Sequence, residues 1–473
     1  MALHGILSPS LLVGRDAVFA VPILTCKCWA RSCEIILNVD ALRCVSYSQE
    51  IKPVDNTFSS PFTRLVWKPD IRTLRGSQAR QLYPPPRVNV EKWHIWGITN
   101  KIAHFVVLSM YERLEQVENR PKPSGDVKHF FNWIMKKGKT DNSGLMEEAR
   151  KLSNNGVLLQ KIDELVVKAP DVIEIKVAKL LHDKMADILY EHRTGMDVII
   201  SEDLLTPLYQ SGLLMTGIYP QLFRVLAGLA HSSPSLRVLE IGGGTGGATR
   251  TAMKAFNGPN GIKPYRDYTF TDISPGFLSS ARESMADWRD MKYSTFDMEV
   301  DPIEQGYEQA YDLIIACQVI HPTSNMGKTL SNCRKLLKPG GKFVLVETTQ
   351  NLIVPGVVAG TFTGYWAGIP DGRVDAPFQS LDAWDTSLRE ANFSGLDMVL
   401  DDFPEPYNTT SVILSTASLD NASTPQPATV HLFYGGRTCP ALTQQISKQL
   451  EQRGMIAKLG PLDEALDTLI MHR

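Results

Sequence analysis

The run Glu240-Ile-Gly-Gly-Gly-Thr-Gly-Gly247 limits the fold of this 473-residue chain more than any other stretch. The chain enters it from the β-prone segment Arg237–Ile241 and leaves it in a helical pattern, so it reads as a strand–turn–helix junction. Gly242, Gly244 and Gly246 allow a tight turn in which bare backbone approaches a ligand and the free N–H groups of a helix N-terminus point at it. Further β runs alternate with helical patterns at Tyr268–Thr271, Lys292–Phe296, Tyr311–Ala316 and Lys342–Glu347. Such alternation predicts an α/β fold, a parallel sheet covered by helices on both faces. Two more runs, Gly395–Leu400 and Ser411–Ser415, flank the Pro-rich turn Phe403-Pro-Glu-Pro-Tyr407 and suit an antiparallel pair at the sheet edge.

A glycine turn of this kind also serves dinucleotides. Glu240, two residues before the first glycine, favours a different ligand. In S-adenosylmethionine-dependent methyltransferases an acidic residue at this place lies where the amino acid part of the cofactor binds, and a nicotinamide site has no such need. Asp272 ends the second predicted strand, where a carboxylate can accept both ribose hydroxyls. Asp297 ends the third, where it can accept the adenine amino group with Phe296 or Met298 against the ring. Alone, either aspartate reads equally as a helix cap or a solvated loop residue. Together, at successive strand ends after this turn, they favour S-adenosylmethionine.

The fourth strand leads into Cys317-Gln-Val-Ile-His321 and the fifth ends at Val346-Glu347. In a doubly wound sheet of order 3-2-1-4-5 these strands are neighbours, about 4.8 Å apart, with both carboxyl ends on the ligand crevice. His321 and Glu347 are therefore expected to meet. Methyl transfer from a sulfonium needs alignment and removal of a proton from the acceptor, which a histidine oriented by a carboxylate can supply. As isolated residues they read more simply as a capping or core histidine and a solvated strand end. Thr361-Phe-Thr-Gly-Tyr-Trp366 follows the fifth strand, so Tyr365 and Trp366 either roof an acceptor pocket or pack a helical layer onto the sheet.

Elsewhere the chain is that of a soluble protein. A net charge of −2 gives no electrostatic case for nucleic acid or an anionic membrane, and small-molecule partners fit better. The apolar stretch Ile6–Leu24 is interrupted by Pro9, Arg15-Asp16 and Pro22, so neither a signal peptide nor a membrane span is expected, and the expected location is cytoplasmic. Cys26, Cys28 and Cys33 lack a zinc spacing, so no metal site is expected. Residues 1–81 read as strand and loop, 82–232 as mostly helical, and 233–417 as the α/β core. A polar linker at 418–427 precedes one β-α-β unit at 428–473, too little to form a domain alone.

At the level of motifs the chain resembles a known family. LEIGGGTGGAT, YTFTDIS, FDMEVDPIEQGY, YDLIIACQVIHPT, LLKPGGKFVLVE and GYWAG, with YQSGLLMTGIYPQL before them, resemble in order the C-methyltransferase domain of fungal highly reducing polyketide synthases over roughly 90–417. The resemblance implies a class I, Rossmann-like methyltransferase with a seven-stranded, mostly parallel sheet and a helical lid, two small remnants flanking it. It implies S-adenosylmethionine as methyl donor and His321 with Glu347 as the catalytic pair. In that family the acceptor is the α-carbon of a β-ketoacyl chain held on a carrier protein. FSSPFTRLVWKPDI, from Phe58 to Ile71, resembles the tail of the preceding dehydratase domain, and the segment from Ala428 resembles the start of the structural reductase half that follows. Two departures lie on the acceptor side: His321-Pro322-Thr323 where the family usually reads His-Ala-Thr, and Gly364-Tyr365-Trp366 where it usually reads Gly-Trp-Trp. With no carrier segment in the chain, the expectation is a freestanding enzyme of fungal secondary metabolism acting on a hydroxyl of a small-molecule intermediate. C-methylation in trans on another synthase's carrier protein is the alternative, and a non-catalytic remnant the third reading.

Overall fold

A computed structural model describes residues 34–38, 69–212, 217–256, 265–419, 429–434, 441–452 and 456–461, less 73, 75, 88, 89, 234, 289 and 406. The cysteine cluster at 26–33, the apolar stretch 6–24, residues 58–68 of the dehydratase-like motif and most of the predicted linker lie outside these.

The chain first forms strand β1 (Glu34–Asn38) and, after a long helical region, the strands β2 (Leu236–Ile241), β3 (Tyr265–Asp272), β4 (Met291–Thr295), β5 (Tyr311–Cys317), β6 (Leu337–Thr348), β7 (Met398–Asp401) and β8 (Thr410–Thr416). These last seven make one sheet of order β4-β3-β2-β5-β6-β8-β7. The pairs from β4 to β6 are parallel, and β8 is antiparallel to both β6 and β7. The predicted seven strands and their order are all present, with β7 and β8 as the antiparallel edge. β6 begins earlier than its apolar run suggests, because Leu337 pairs with Tyr311 before a register shift carries the strand through the Gly340-Gly341 bend.

The strands of a parallel sheet buried on both faces are apolar throughout, and β2, β3, β5 and β6 are nearly all buried. One face carries Leu239, Ile314, Phe343 and Leu345 against the helices Met326–Leu336 and Leu381–Glu390, with Trp384 at its centre. The other carries Val238, Phe270, Leu313 and Val344 against the helices Tyr219–Ser232 and Gly247–Phe256.

A separate apolar cluster holds the helical layer together around the 27-residue helix Val90–Gln116, with Phe105, Ile134, Ile162 and Ile175 buried inside it. The limits of this layer differ from those the sequence suggested. The helix Tyr219–Ser232 packs on the sheet, whereas Ile353, Val357, Tyr365 and Trp366, from the chain after β6, pack into the helical cluster. The expected division between 81 and 82 cuts through a helix, Gly76–Leu82, that lies on the edge strand β7. Ile71 and Ala79 are buried in the sheet's own core, and Gln221 Nε2 donates to the Tyr83 carbonyl at 3.2 Å. Residues 69–84 thus complete the methyltransferase core.

After it the chain forms β9 (Thr429–Tyr434), a helix Ala441–Glu451 and β10 (Ile456–Pro461), the β-α-β unit read from sequence. β9 lies between β1 and β10 and is parallel to both, so the chain's first and last described strands share one small sheet. No helix among the described residues is long and apolar enough to cross a membrane, and among them no group of His, Cys, Asp or Glu could hold a metal ion.

Candidate functional site

At the carboxyl ends of β2, β3 and β5 lies a cleft of about 350 Å³. Of the residues assigned to the cofactor from the sequence, Glu240, Gly242, Gly244, Asp272, Phe296, Asp297 and Met298 line it and Gly246 does not. Gly246 shapes the turn instead, at φ +78°, where a Cβ would run into the Met285 methyl. Gly244 is also left-handed, at φ +50°, but a Cβ there would meet nothing nearer than the Gly242 carbonyl at 4.0 Å. The space beside it belongs to the cleft, a backbone cradle that a side chain would fill.

One carboxylate holds this cradle. Asp272 accepts the Gly244 N–H at 2.9 Å and the Ser274 N–H at 2.8 Å, tying the glycine turn to the end of β3. The local loop-capping role weighed for it in the sequence is therefore present, together with its place in the cleft wall. Asp297 likewise caps its own loop through the Glu299 N–H at 2.9 Å. Glu240 is buried, and one of its oxygens accepts both the Tyr268 hydroxyl at 2.6 Å and the Thr249 hydroxyl at 2.7 Å. Burial holds its carboxyl up at about 7 against the pull of these two bonds, with the charge of Asp272 adding to the rise. A buried carboxyl so poised gains most from a cationic partner. An amino acid ammonium beside Glu240, hydroxyls beside Asp272 and an apolar ring between Phe296 and Met298 match the groups that S-adenosylmethionine carries.

On the next side of the cleft, β5 ends and the chain turns sharply. Gln318 takes a left-handed φ of +55°, costly for a residue with a Cβ, and is held there by its N–H on the Val346 carbonyl at 2.7 Å and its amide on Thr348 at 3.1 Å. The turn brings His321 back over β6. Its Nδ1 lies 2.7 Å from Oε2 of Glu347, whose other oxygen accepts the Ile320 N–H at 3.0 Å. Glu347 is fully buried and the His321 side chain is 14% exposed. The two residues meet as the strand order requires. A carboxylate only accepts, so Nδ1 carries the hydrogen, and Nε2 has no hydrogen bond from the described residues. Cys317, the other nucleophile near the cleft, is disarmed: burial, then the neighbouring Glu347 and Glu240, push its thiol well above its ordinary range.

Neither His321 nor Glu347 lines the cleft itself, although the residues on both sides of His321 do. Val319, Pro322 and Thr323 line the cleft, and the imidazole faces Phe378, ring centroids 5.1 Å apart. Tyr365 packs at a right angle on the far side of Phe378, 6.1 Å away. Neither Tyr365 nor Trp366 lines the cleft. Trp366 packs 6.4 Å from Trp133 with its Nε1 on the Gly360 carbonyl, so the packing alternative describes it better than a roof over the acceptor. Sequence reasoning missed Phe378, Gln318 and Tyr219, the last of which lines the cleft with its hydroxyl against Gly247. Gln318 lies within YDLIIACQVIHPT and Tyr219 within YQSGLLMTGIYPQL, but nothing in those motifs marks them, while Phe378 lies in no motif; only the β5–β6 contact reveals why Gln318 must turn.

Fold and site together define a class I S-adenosylmethionine-dependent methyltransferase. Residues 239–343 match the family described as "Methyltransferase domain". Over most of its length the chain is similar in sequence to fungal polyketide synthase proteins. It is 62% identical over 434 residues to the polyketide synthase-like protein Preu9 of Preussia isomera and 42% identical over 430 residues to the prosolanapyrone synthase of Alternaria solani. These alignments cover 91% and 90% of this chain but 20% and 16% of those proteins, so the chain spans a fifth or less of their length. Among solved structures, the trans-methyltransferase CalH in complex with SAH superposes with a TM-score of 0.63 at 26% identity, over 72% of this chain and 95% of that one. The CMeT domain of the citrinin polyketide synthase superposes at 0.57 and 21% identity, over 68% and 89% of the two chains, and shows the same fold.

Proposed function

We propose that this protein methylates the acidic α-carbon of a β-ketoacyl chain presented on a carrier protein, with His321 as the base. The arrangement that carries the reading is the free Nε2 of an imidazole whose Nδ1 is held by the buried Glu347. S-adenosylmethionine supplies an electrophilic methyl group on its sulfonium. Nε2 takes the proton from the carbon between the two carbonyls, the carbanion's electron pair forms the new C–C bond, and the methyl–sulfur bond breaks to leave a neutral thioether. Glu347 stabilises the imidazolium until the proton leaves for solvent. Glu240, Asp272 and Asp297 would hold the cofactor, and Phe296 and Met298 would give it an apolar wall.

The resemblance over roughly 90–417 to C-methyltransferase domains, and relatives that are polyketide synthases, support carbon as the acceptor. An oxygen acceptor would use the same base. The argument for it was the lack of a carrier segment, which has no force for a chain spanning a fifth or less of its relatives. The deciding experiment offers a β-ketoacyl pantetheine thioester with methyl-labelled cofactor and reads the product by NMR. A new methyl on carbon is expected, and a methyl ether, or transfer only to hydroxylated compounds, would overturn the proposal.

A further inference from the structure

Arg373 lies between the short turn Ile369–Asp371 and Phe378, and its side chain is 7% exposed. A guanidinium has five N–H donors in a fixed plane, and here each has an acceptor. Nε and one Nη2 hydrogen go to the two oxygens of Asp371, at 2.8 and 3.0 Å. One Nη1 hydrogen goes to the Pro377 carbonyl at 3.0 Å. The remaining two reach across to the loop after β5, to the carbonyls of His321 and Thr323. Gly368 lies under the plane: a Cβ there would sit 2.3 Å from Cζ of Arg373. Asp371 extends the clamp by accepting the Met326 N–H at 3.0 Å, at the start of the helix Met326–Leu336.

We infer that Arg373 is the positioning residue for His321. The imidazole is fixed at Nδ1 by Glu347, but a ring held at one end still swings about its own Cα. Arg373 fixes the other end by holding the His321 carbonyl. Pro322 adds to this, since the residue before a proline is confined to extended backbone and the proline has no N–H to compete for the loop's geometry. With backbone and ring both pinned, Nε2 points one way before any acceptor arrives. The clamp also ties the loop of the base, through the Pro377 carbonyl, to the segment carrying Phe378, whose ring faces the imidazole.

This inference rests on His321 being the base, and the test separates the two. Three variants of the full chain are compared: Arg373→Gln, Arg373→Lys, and Gly368→Ala, which keeps the charge and displaces the guanidinium. Each is read by single-turnover methyl transfer, by calorimetric binding of S-adenosylmethionine, and by the proton resonance of His321 Nδ1–H held on Glu347. Misplacing a reacting group by about 1 Å can cost 10²-fold, so turnover should fall by roughly that factor in all three while cofactor affinity changes less than about twofold. Lysine should not rescue, because it cannot span five acceptors in a plane. The Nδ1–H resonance, sharp in the parent protein, should broaden by exchange in each variant. Unchanged turnover with an unchanged resonance in Arg373→Gln and Gly368→Ala would overturn the inference. Normal turnover in His321→Ala would instead overturn the base reading, while the resonance would still report whether Arg373 holds the ring.

Discussion

Glu240 offers a test in which the sign and size of an effect follow from burial. Its carboxyl is held at about 7 in the folded protein, against an unfolded value of about 4.3. Between those two pH values the native chain keeps a proton that the unfolded chain has released, so this residue makes stability fall as pH rises through the window. At 1.36 kcal/mol for each pH decade the full penalty, reached above pH 7, is roughly 4 kcal/mol. Glu240→Gln removes the titration, and its amide oxygen, set where the one accepting carboxylate oxygen lies, can still accept both the Tyr268 and the Thr249 hydroxyls, so any remaining change in packing does not depend on pH. The readout is therefore the difference between the two proteins as a function of pH. Thermal unfolding of parent and variant from pH 4 to 8 should show the variant gaining on the parent by roughly 4 kcal/mol, on the order of 4–5 °C in Tm for a unit of this size. Asp402, held at about 6 by burial, titrates in both and cancels. A second measurement links the effect to function. When the cofactor's ammonium arrives, Glu240 gains its countercharge and should release a proton at pH 6–7, seen by calorimetry in buffers of different ionisation enthalpy and absent in the variant. Parallel stability curves, or equal proton release in the two proteins, would refute the reasoning.

His321→Ala should lose roughly 10²–10⁴-fold in turnover with cofactor affinity nearly unchanged, and Glu347→Gln should lose less because the imidazole survives; single-turnover rates with both variants check this. Asp272→Ala frees the Gly244 and Ser274 N–H groups as well as losing a cofactor contact, so S-adenosylmethionine should bind more weakly by roughly 1.5–3 kcal/mol, measured by calorimetry. A fragment beginning at residue 85 lacks the buried Ile71 and Ala79 and should unfold more easily, by roughly 2–5 kcal/mol, than one beginning at residue 69; denaturant titration of the two decides it.

The parts of this structure legible in the sequence are those where one residue type has few uses. Glycines between a strand and a helix admit one kind of turn, and strand order then places Asp272, Asp297, His321 and Glu347 at known ends without any knowledge of packing. The helical layer was less legible. Its apolar faces repeat at helical spacing whether they meet the sheet or one another, so the helix Tyr219–Ser232 and the segment at 69–84 were assigned to the wrong neighbours. Trp366 shows the same ambiguity, because an aromatic after a strand packs or lines a pocket according to contacts made by Trp133, far away in sequence. Arg373 was illegible for a further reason: three of its five acceptors are backbone carbonyls, which every residue has.

The pairing of β1 with β9 has a consequence for how the chain is made. The last residue of β1 is Asn38 and the first of β9 is Thr429, 391 positions later (429 − 38). At about 5–20 residues per second on the ribosome, Glu-Ile-Ile-Leu-Asn waits roughly 20–80 s for the strand it will join. All seven strands of the large sheet emerge within that interval, the last ending at Thr416. All strands of the large sheet are thus synthesised before the partner of β1 in the small sheet exists, and β1 spends that interval without its β9 neighbour.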